Sequence, residues 1–308
     1  MTIERLVSLG NVVIDIVMRI EALPERESDV IADSASITPG GAFNAMVAAS
    51  RQGLATVYAG AHGTGPFGEL ARAALARETI GVALSPVAAL DTGFDVAMVD
   101  PTGERTFVTS VGAEGQLAWG GFAPADFTLV ATDAVHVSGY GLLHPVNRDA
   151  ILELLAVMPG TVFYDPGPLG HSLAESILAI VLARTDWWSG NAREATLATG
   201  IDDPVLAAAA IASNTRAGAI VRLGASGCVL ATRGIAPVHI PGFTVDAVDL
   251  NGAGDAHVGA FIAGLASGLS SADAARRANA VAAIAVARHG PADAPTAAET
   301  DEFLQRVD

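Results

Sequence analysis

No lysine occurs in the 308 residues; all 17 basic side chains are arginine. That absence removes several chemistries at once. A Walker A loop, the strand lysine of a protein kinase and a Schiff base to pyridoxal all need an ε-amino group. Any phosphate or carbonyl handled here must be held by backbone amides, arginine or a metal. Cysteine is nearly absent too: the single Cys228 forbids an internal disulfide and fits a reducing, cytoplasmic compartment. Positive charge is scarce beside 33 acids, and the formal net charge is −16. General nucleic-acid binding needs a basic surface and is therefore not expected. An anionic small substrate is still allowed, because local donors override the overall field. The mean hydropathy of +0.44 raises the question of a membrane. Yet no clean apolar run reaches the roughly 18 residues of a spanning helix, and MTIERLVSLG lacks the basic start and cleavage site of a signal peptide. No membrane partner is expected.

Apolar residues are plentiful, at 51% of the chain, enough for a sizeable core, and the 33 glycines are scattered rather than gathered in a linker. LVSLGNVVIDIVMRI, dense in Val and Ile, reads as strand. AFNAMVAASRQG has helical spacing and a glycine stop at Gly53. ATVYAGAHG then reads as strand and ELARAALARE as helix. The alternation recurs in AVHVSG with DAILELLAVM, in TVFYDP with HSLAESILAIVLA, and later in AGAIVRLG. Such β and α units imply a mostly parallel sheet covered on both faces. FDVAMVDPTGERTFVTS breaks the rhythm, and its two alternating runs about DPTGE predict an antiparallel hairpin. With IDIVMRI and VIADSASI it makes a small separate sheet, a natural lid.

The stretch DLNGAGDAHVGAF carries the sharpest question. If VDAVDL is a strand and DAHVGAFIAGLASG a helix, Gly252, Ala253 and Gly254 lie at a helix N-terminus, where free N–H groups attract anions. An acid beside them, Asp255, can take a proton from a hydroxyl while the amides stabilise the transferred group, which suits phosphoryl transfer to an alcohol. A plain helix-terminus acid is the bland alternative. Elsewhere TPGGAFNAM sets a glycine pair before a helix with Asn44 in its first turn, and GNVVIDIV sets Asp15 on an early strand. SGNAREATLATG spaces Asn191 and Glu194 to face the same way in a helical turn. VRLGASGCVL puts a glycine-rich turn between apolar runs. Singly these read as caps, strand-end acids, a solvated glutamate and a hairpin turn.

In this order and at these spacings, GNVVID, GGAFN, NAREA, RLGASG, DLNGAGDAHVGAF and the closing AVAAIAVARHGPADAPT resemble the ribokinase-like, or PfkB, family of carbohydrate and nucleoside kinases. The resemblance covers nearly the whole chain. It implies an α/β fold, a ribokinase-like three-layer sandwich with a mostly parallel central sheet and a small β-sheet lid. The chain, residues 1–308, is then one kinase domain with lid segments at about 12–38 and 92–112. It implies transfer of the γ-phosphoryl group of ATP, with Mg2+, to a hydroxyl of a small sugar or nucleoside. Asp255 matches the catalytic base, and Gly252, Ala253 and Gly254 the anion hole. Asp15, Gly40, Gly41 and Asn44 match positions that hold substrate hydroxyls. Asn191 and Glu194 match the motif that orders magnesium and its waters. Arg222, Gly224 and Gly227, with Asn279, fall where the family lines its nucleotide pocket. Asp249, with carbonyls around Asn251, Ala285, Arg288 and Gly290, matches a monovalent-cation site, which makes K+ a candidate. Members often pair lids across a two-fold axis, so a homodimer is expected, covering Val30, Val96, Met98 and Phe107. Several positions depart from the family: Leu250 and Asn251 replace its usual threonines, His257 its phenylalanine, and Ala294 a hydroxyl. GGAFN also lacks the lysine of ribokinase itself.

GTGPFG at 63–68 fits G-x-G-x-x-G, with Asp91 spaced to hold a ribose, as an NAD-dependent oxidoreductase requires. Pro66 removes an amide from that loop, however. A non-catalytic sugar sensor on the same fold would not need Asp255 and Glu194. Arg105, in the hairpin turn, would suit a phosphorylated sugar; as a solvated turn residue it would do nothing.

Overall fold

The Val/Ile-rich run near the N-terminus serves two sheets, and its IDIVMRI half joins the small one as expected. Strands are numbered in chain order. β1 (Arg5–Ser8) lies inside a large sheet, and the chain then leaves it as β2 (Val12–Arg19) of a small one. The small sheet also holds β3 (Ser34–Gly41), β6 (Phe94–Val99) and β7 (Arg105–Ser110), in the order β3-β2-β6-β7. The large sheet adds β4 (Ala55–Tyr58), β5 (Gly81–Val82), β8 (Asp133–Ser138), β9 (Thr161–Asp165), β10 (Trp187–Asn191), β11 (Gly218–Arg222), β12 (Cys228–Thr232) and β13 (Val238–Ile240). The computed structural model describes residues 2–102, 104–117, 127–288, 290 and 293–307; the Arg105 side chain lies outside the described part.

The order of the large sheet is β13-β12-β11-β10-β9-β8-β1-β4-β5. Its pairs are parallel from β5 to β11 and antiparallel at β11–β12 and β12–β13. Strands buried on both faces should read as near-continuous apolar runs, and β9, β11 and β12 do. Alternate residues feed two cores. Val7, Val135, Val162 and Val221 pack with helices Pro145–Val157, Ala192–Thr199 and Pro204–Asn214. Leu6, Ala134, Phe163 and Ile220 pack with Ala42–Arg51, Ala253–Ala266 and Ser271–Val286. This is the expected three-layer sandwich.

Helix Ala253–Ala266 is apolar on every side because it is wedged between the other two helices of its layer. Gly259 makes that possible, since a Cβ there would strike the Ala45 carbonyl oxygen and come within 2.9 Å of the Ala48 Cβ. Gly259→Ala is therefore expected to destabilise the protein by about 2 kcal/mol, overpacking outweighing better helix propensity. Thermal unfolding measures it, and an unchanged midpoint would show that the helices part freely.

Among the described residues no single helix is long and apolar enough to cross a membrane. One bent pair, Ala192–Thr199 with Pro204–Asn214, passes by length and composition, but Ala207, Ala208, Ile211 and Ala212 are spent in the core.

The hairpin expected around DPTGE is β6–β7, paired from Phe94↔Ser110 to Val99↔Arg105. Its register corrects the expected single apolar face. Val96 pairs with Val108 and shares a row with Ile16 and Ile37, whereas Phe107 pairs with Ala97 on the opposite side. Ile37 and Val108 are 53% and 60% exposed. Glu114 ties the hairpin to the body, accepting from the Gly93 and Gly112 N–H groups at 2.6 and 2.9 Å.

Candidate active site

β8 to β11 end at one rim, where the chain carries Ser138, Asp165, Asn191 and Arg222. The C-terminal edge of a parallel sheet is where such folds gather polar side chains. Helix Ala253–Ala266 meets the same rim. VDAVDL is not a strand; it is an irregular approach held by the Val248 and Asp249 N–H groups, both donating to the Val286 carbonyl. The hydrogen-bonding is met by a helix end, so no sheet partner is needed. Gly252 caps the helix at φ 75°, left-handed backbone that favours glycine. Asp255 then falls in the first turn, near N–H groups without intrahelical partners.

Asn44 reaches Asp255 from a different element, its Nδ2 donating to Oδ2 at 3.4 Å. Gly40 and Gly41 precede that helix for a reason visible at Gly40, where any Cβ would run into the Asp15 carboxylate. The structure thus brings Asp15, Gly40, Asn44 and Asp255 together. The Asp255 carboxyl is pushed up to about 7, first by burial and then by the charge of Asp165; Asn44 and Arg222 act in the opposite direction.

Arg222 lies at the centre of the acids. Its Nη1 donates to Ser189 Oγ at 3.0 Å and to Asp165 Oδ2 at 3.4 Å, and its Nη2 is 3.6 Å from Glu194 Oε2. The guanidinium also lies under Gly254, 3.3 Å from where a Cβ would be. Asn191 and Glu194 form a reciprocal capping box: the Glu194 N–H donates to Asn191 Oδ1 at 2.8 Å and the Asn191 N–H to Glu194 Oε2 at 2.7 Å. The box does more than cap the helix, because it also aims Glu194 at Arg222. Burial and the Asp165 charge raise the Glu194 carboxyl.

Other expected residues sit further out. Gly224 and Gly227, both with positive φ, shape the turn between β11 and β12. Asn279 is buried, with Nδ2 donating to the Ile240 and Pro241 carbonyls at 3.1 Å and Oδ1 on His257 Nε2 at 3.1 Å. Its amide is thus spent on holding the segment behind that turn rather than offered to a ligand. His257 is a packed core histidine, pushed down to about 3 by burial. Asp249 accepts from the Asn251 N–H, and the Ala285 carbonyl from the Arg288 N–H. Gly290 has φ 102°. Among the described residues no group of three His, Cys, Asp or Glu side chains is placed to hold a metal unaided.

The dinucleotide reading of GTGPFG fails on geometry. Asp91 accepts from the Phe67 and Gly68 N–H groups at 3.1 and 2.8 Å, so the amides that would cradle pyrophosphate are already taken. Asp91 is a cap within the protein, not a ribose ligand. Sequence reasoning missed Asp165, which TVFYDP offered only as a strand end, and Tyr140, whose phenol is raised by burial and by four acids around the cleft.

An acid at a glycine-bounded helix N-terminus, on the rim of a parallel sheet and beneath a separate β-lid, is the arrangement of a small-molecule phosphotransferase. The pfkB family carbohydrate kinase profile matches residues 3–297, and the chain belongs to that family. It is 34% identical over 306 residues to the uncharacterized sugar kinase YegV of Escherichia coli K12, covering 97% of this chain and 93% of that one. It is 31% identical to the ATP-dependent ribose-1-phosphate kinase of Halopiger xanaduensis, covering 97% and 98%. Its fold superposes on a ribokinase from Thermotoga maritima with a TM-score of 0.81, at 25% identity and covering 98% and 99%.

Proposed function

We infer that this sugar or nucleoside kinase uses Asp255 as the general base that deprotonates the acceptor hydroxyl, which then takes the γ-phosphoryl group of ATP. The observation that carries the reading is the Asp255 carboxyl, pushed up to about 7 at a helix N-terminus. A base works best with a pKa near the working pH. The Gly252, Ala253 and Gly254 amides serve as the anion hole, and Ala253 spends little of its N–H on Leu250, at 3.4 Å. Asp15, Gly40, Gly41 and Asn44 hold the acceptor. Arg222, Gly224, Gly227 and Asn191 line the nucleotide side, with Asn279 as their support.

Magnesium fits the crowded acids. Glu194 and Asp165 lie on either side of Arg222, and one or two carboxylates are what Mg2+ takes from a protein when phosphates and water complete its shell. It would supply charge neutralisation between phosphates. Glu194→Gln preserves the capping geometry and removes the charge, so the magnesium needed for half-maximal rate is expected to rise about tenfold or more. A magnesium titration checks this, and an unchanged curve would remove Glu194 from the metal site. Potassium has less to hold it: the Ala285 carbonyl already accepts from Arg288, and Ala294 brings no hydroxyl.

The exposed outer row of the lid, Ile37 with Val108, supports pairing of two lids in a homodimer. The reducing compartment that suits a lone buried Cys228 is the cytoplasm. The deciding experiment is ADP release from purified protein across a panel of sugars, sugar phosphates and nucleosides. Binding of sugar without any turnover would favour a sensor and overturn the kinase reading.

A further inference from the structure

Asp15 and Asp95 stand directly opposite each other on the parallel strands β2 and β6, and Asp15 faces Thr38 across β2–β3. Cα partners on neighbouring strands point to the same side of a sheet. Thr38, Asp15 and Asp95 therefore form one polar row across the lid, back to back with the apolar row of Ile37, Ile16 and Val96. The polar row faces the reaction centre. The Asp15 carboxylate packs on Gly40, at the head of the helix that presents Asn44 to Asp255. Asp95 acts electrostatically on the same Tyr140 phenol as Asp255.

Three atoms around this row are buried without a hydrogen-bond partner: Thr38 Oγ1, Asp95 Oδ1 and Asn44 Oδ1, the last on a residue only 4% exposed. Unsatisfied buried polar atoms are costly, and like charges opposite each other on paired strands repel. A fold keeps such conflicts where a ligand resolves them. The carboxylate and amide oxygens accept only, so the missing partners are donors. Arg222, across the cleft, is already engaged by Asp165, Ser189 and Glu194.

We propose that Asp95 is a specificity-determining residue: beside Asp15, it accepts hydrogen bonds from adjacent hydroxyls of an uncharged polyhydroxy acceptor and repels acceptors that carry phosphate. The proposal rests on the kinase reading above and narrows its substrate class. Sugars esterified with phosphate would place a second anion against two carboxylates, a like-charge juxtaposition that interfaces use to exclude wrong partners.

The test is steady-state ADP release with magnesium and ATP. Ribose, fructose, adenosine and uridine are compared with ribose 5-phosphate and fructose 6-phosphate. The best uncharged acceptor is expected to exceed the best phosphorylated one in kcat/KM by about 100-fold or more. Asp95→Ala is expected to raise the KM for that acceptor about tenfold or more, the size of one lost charge-assisted hydrogen bond, with the KM for ATP little changed. Asp95→Asn keeps the shape; it should melt no lower than wild type and also weaken the acceptor, and it carries the test should the alanine variant unfold. A preference for the phosphate esters, or an acceptor KM untouched in a folded Asp95 variant, would overturn the proposal and leave the kinase reading standing. No turnover on either set would overturn both.

Discussion

Asp255→Asn is expected to lower kcat by about 10²–10⁴-fold, the usual worth of a general base, while making the ligand-free protein more stable. Asparagine keeps the contact with Asn44 but cannot take a proton. The stability gain follows from linkage. The folded carboxyl is raised to about 7 from an ordinary 3.8, so between those values the unfolded chain releases a proton that the folded one retains. Stability is therefore lost as pH rises from about 4 to 7 and stays low above it. The full gap corresponds to at most about 4 kcal/mol. Asp255 retains some solvent contact, so a gain of about 1–2 kcal/mol in the variant at pH 8 is the discounted figure. It should vanish near pH 4. Thermal melts at both pH values, beside kcat, check the pair of effects. In wild type, kcat/KM should climb about tenfold per pH unit below 7 and level off above it. A near-normal kcat in Asp255→Asn would remove this residue from the chemistry.

Arg222→Ala should be the most damaging change in the site. The guanidinium is the cation shared by Asp165 and Glu194, at 3.4 and 3.6 Å, with both partners largely buried. Removing one member of a buried ion group leaves charges uncompensated, at a cost of about 3–5 kcal/mol. A donor lost beneath the Gly254 amide should add a fall in kcat of about 10²-fold or more. The pH signature separates this from general unfolding. Arg222 holds the Asp255 carboxyl down, so without it the activity profile moves to higher pH. Glu194 loses a charge that holds it down as well, so the stability deficit should grow as pH rises through 7 towards 8. Arg222→Lys should recover stability better than activity, since a point charge replaces the fork but not its geometry. An unshifted pH profile in Arg222→Ala would place the arginine outside the reach of Asp255.

Much of this was legible in the chain itself because it rests on local rules. The β/α alternation, the DPTGE hairpin and the glycines before Asp255 and Asn44 follow from propensity, turn chemistry and helix-end electrostatics. The lack of lysine limited phosphate handling to amides, arginine and metal. The motifs in order carried the family, and with it Asp15, Asn44, Glu194 and Asp255. Tertiary structure decided what depends on contacts between distant segments. It set where the Val/Ile run leaves the large sheet for the small one, between Ser8 and Val12, since a continuous apolar pattern does not mark where a strand changes partners. It filled the GTGPFG amides with Asp91, 23 and 24 residues away, and turned Asn279 into a clamp. It brought Asp165 to Arg222 across 57 residues and set Asp95 opposite Asp15 by strand register. A lone acid in a strand has no sequence signature; only its neighbours across the sheet give it a charge to balance or a hydroxyl to hold.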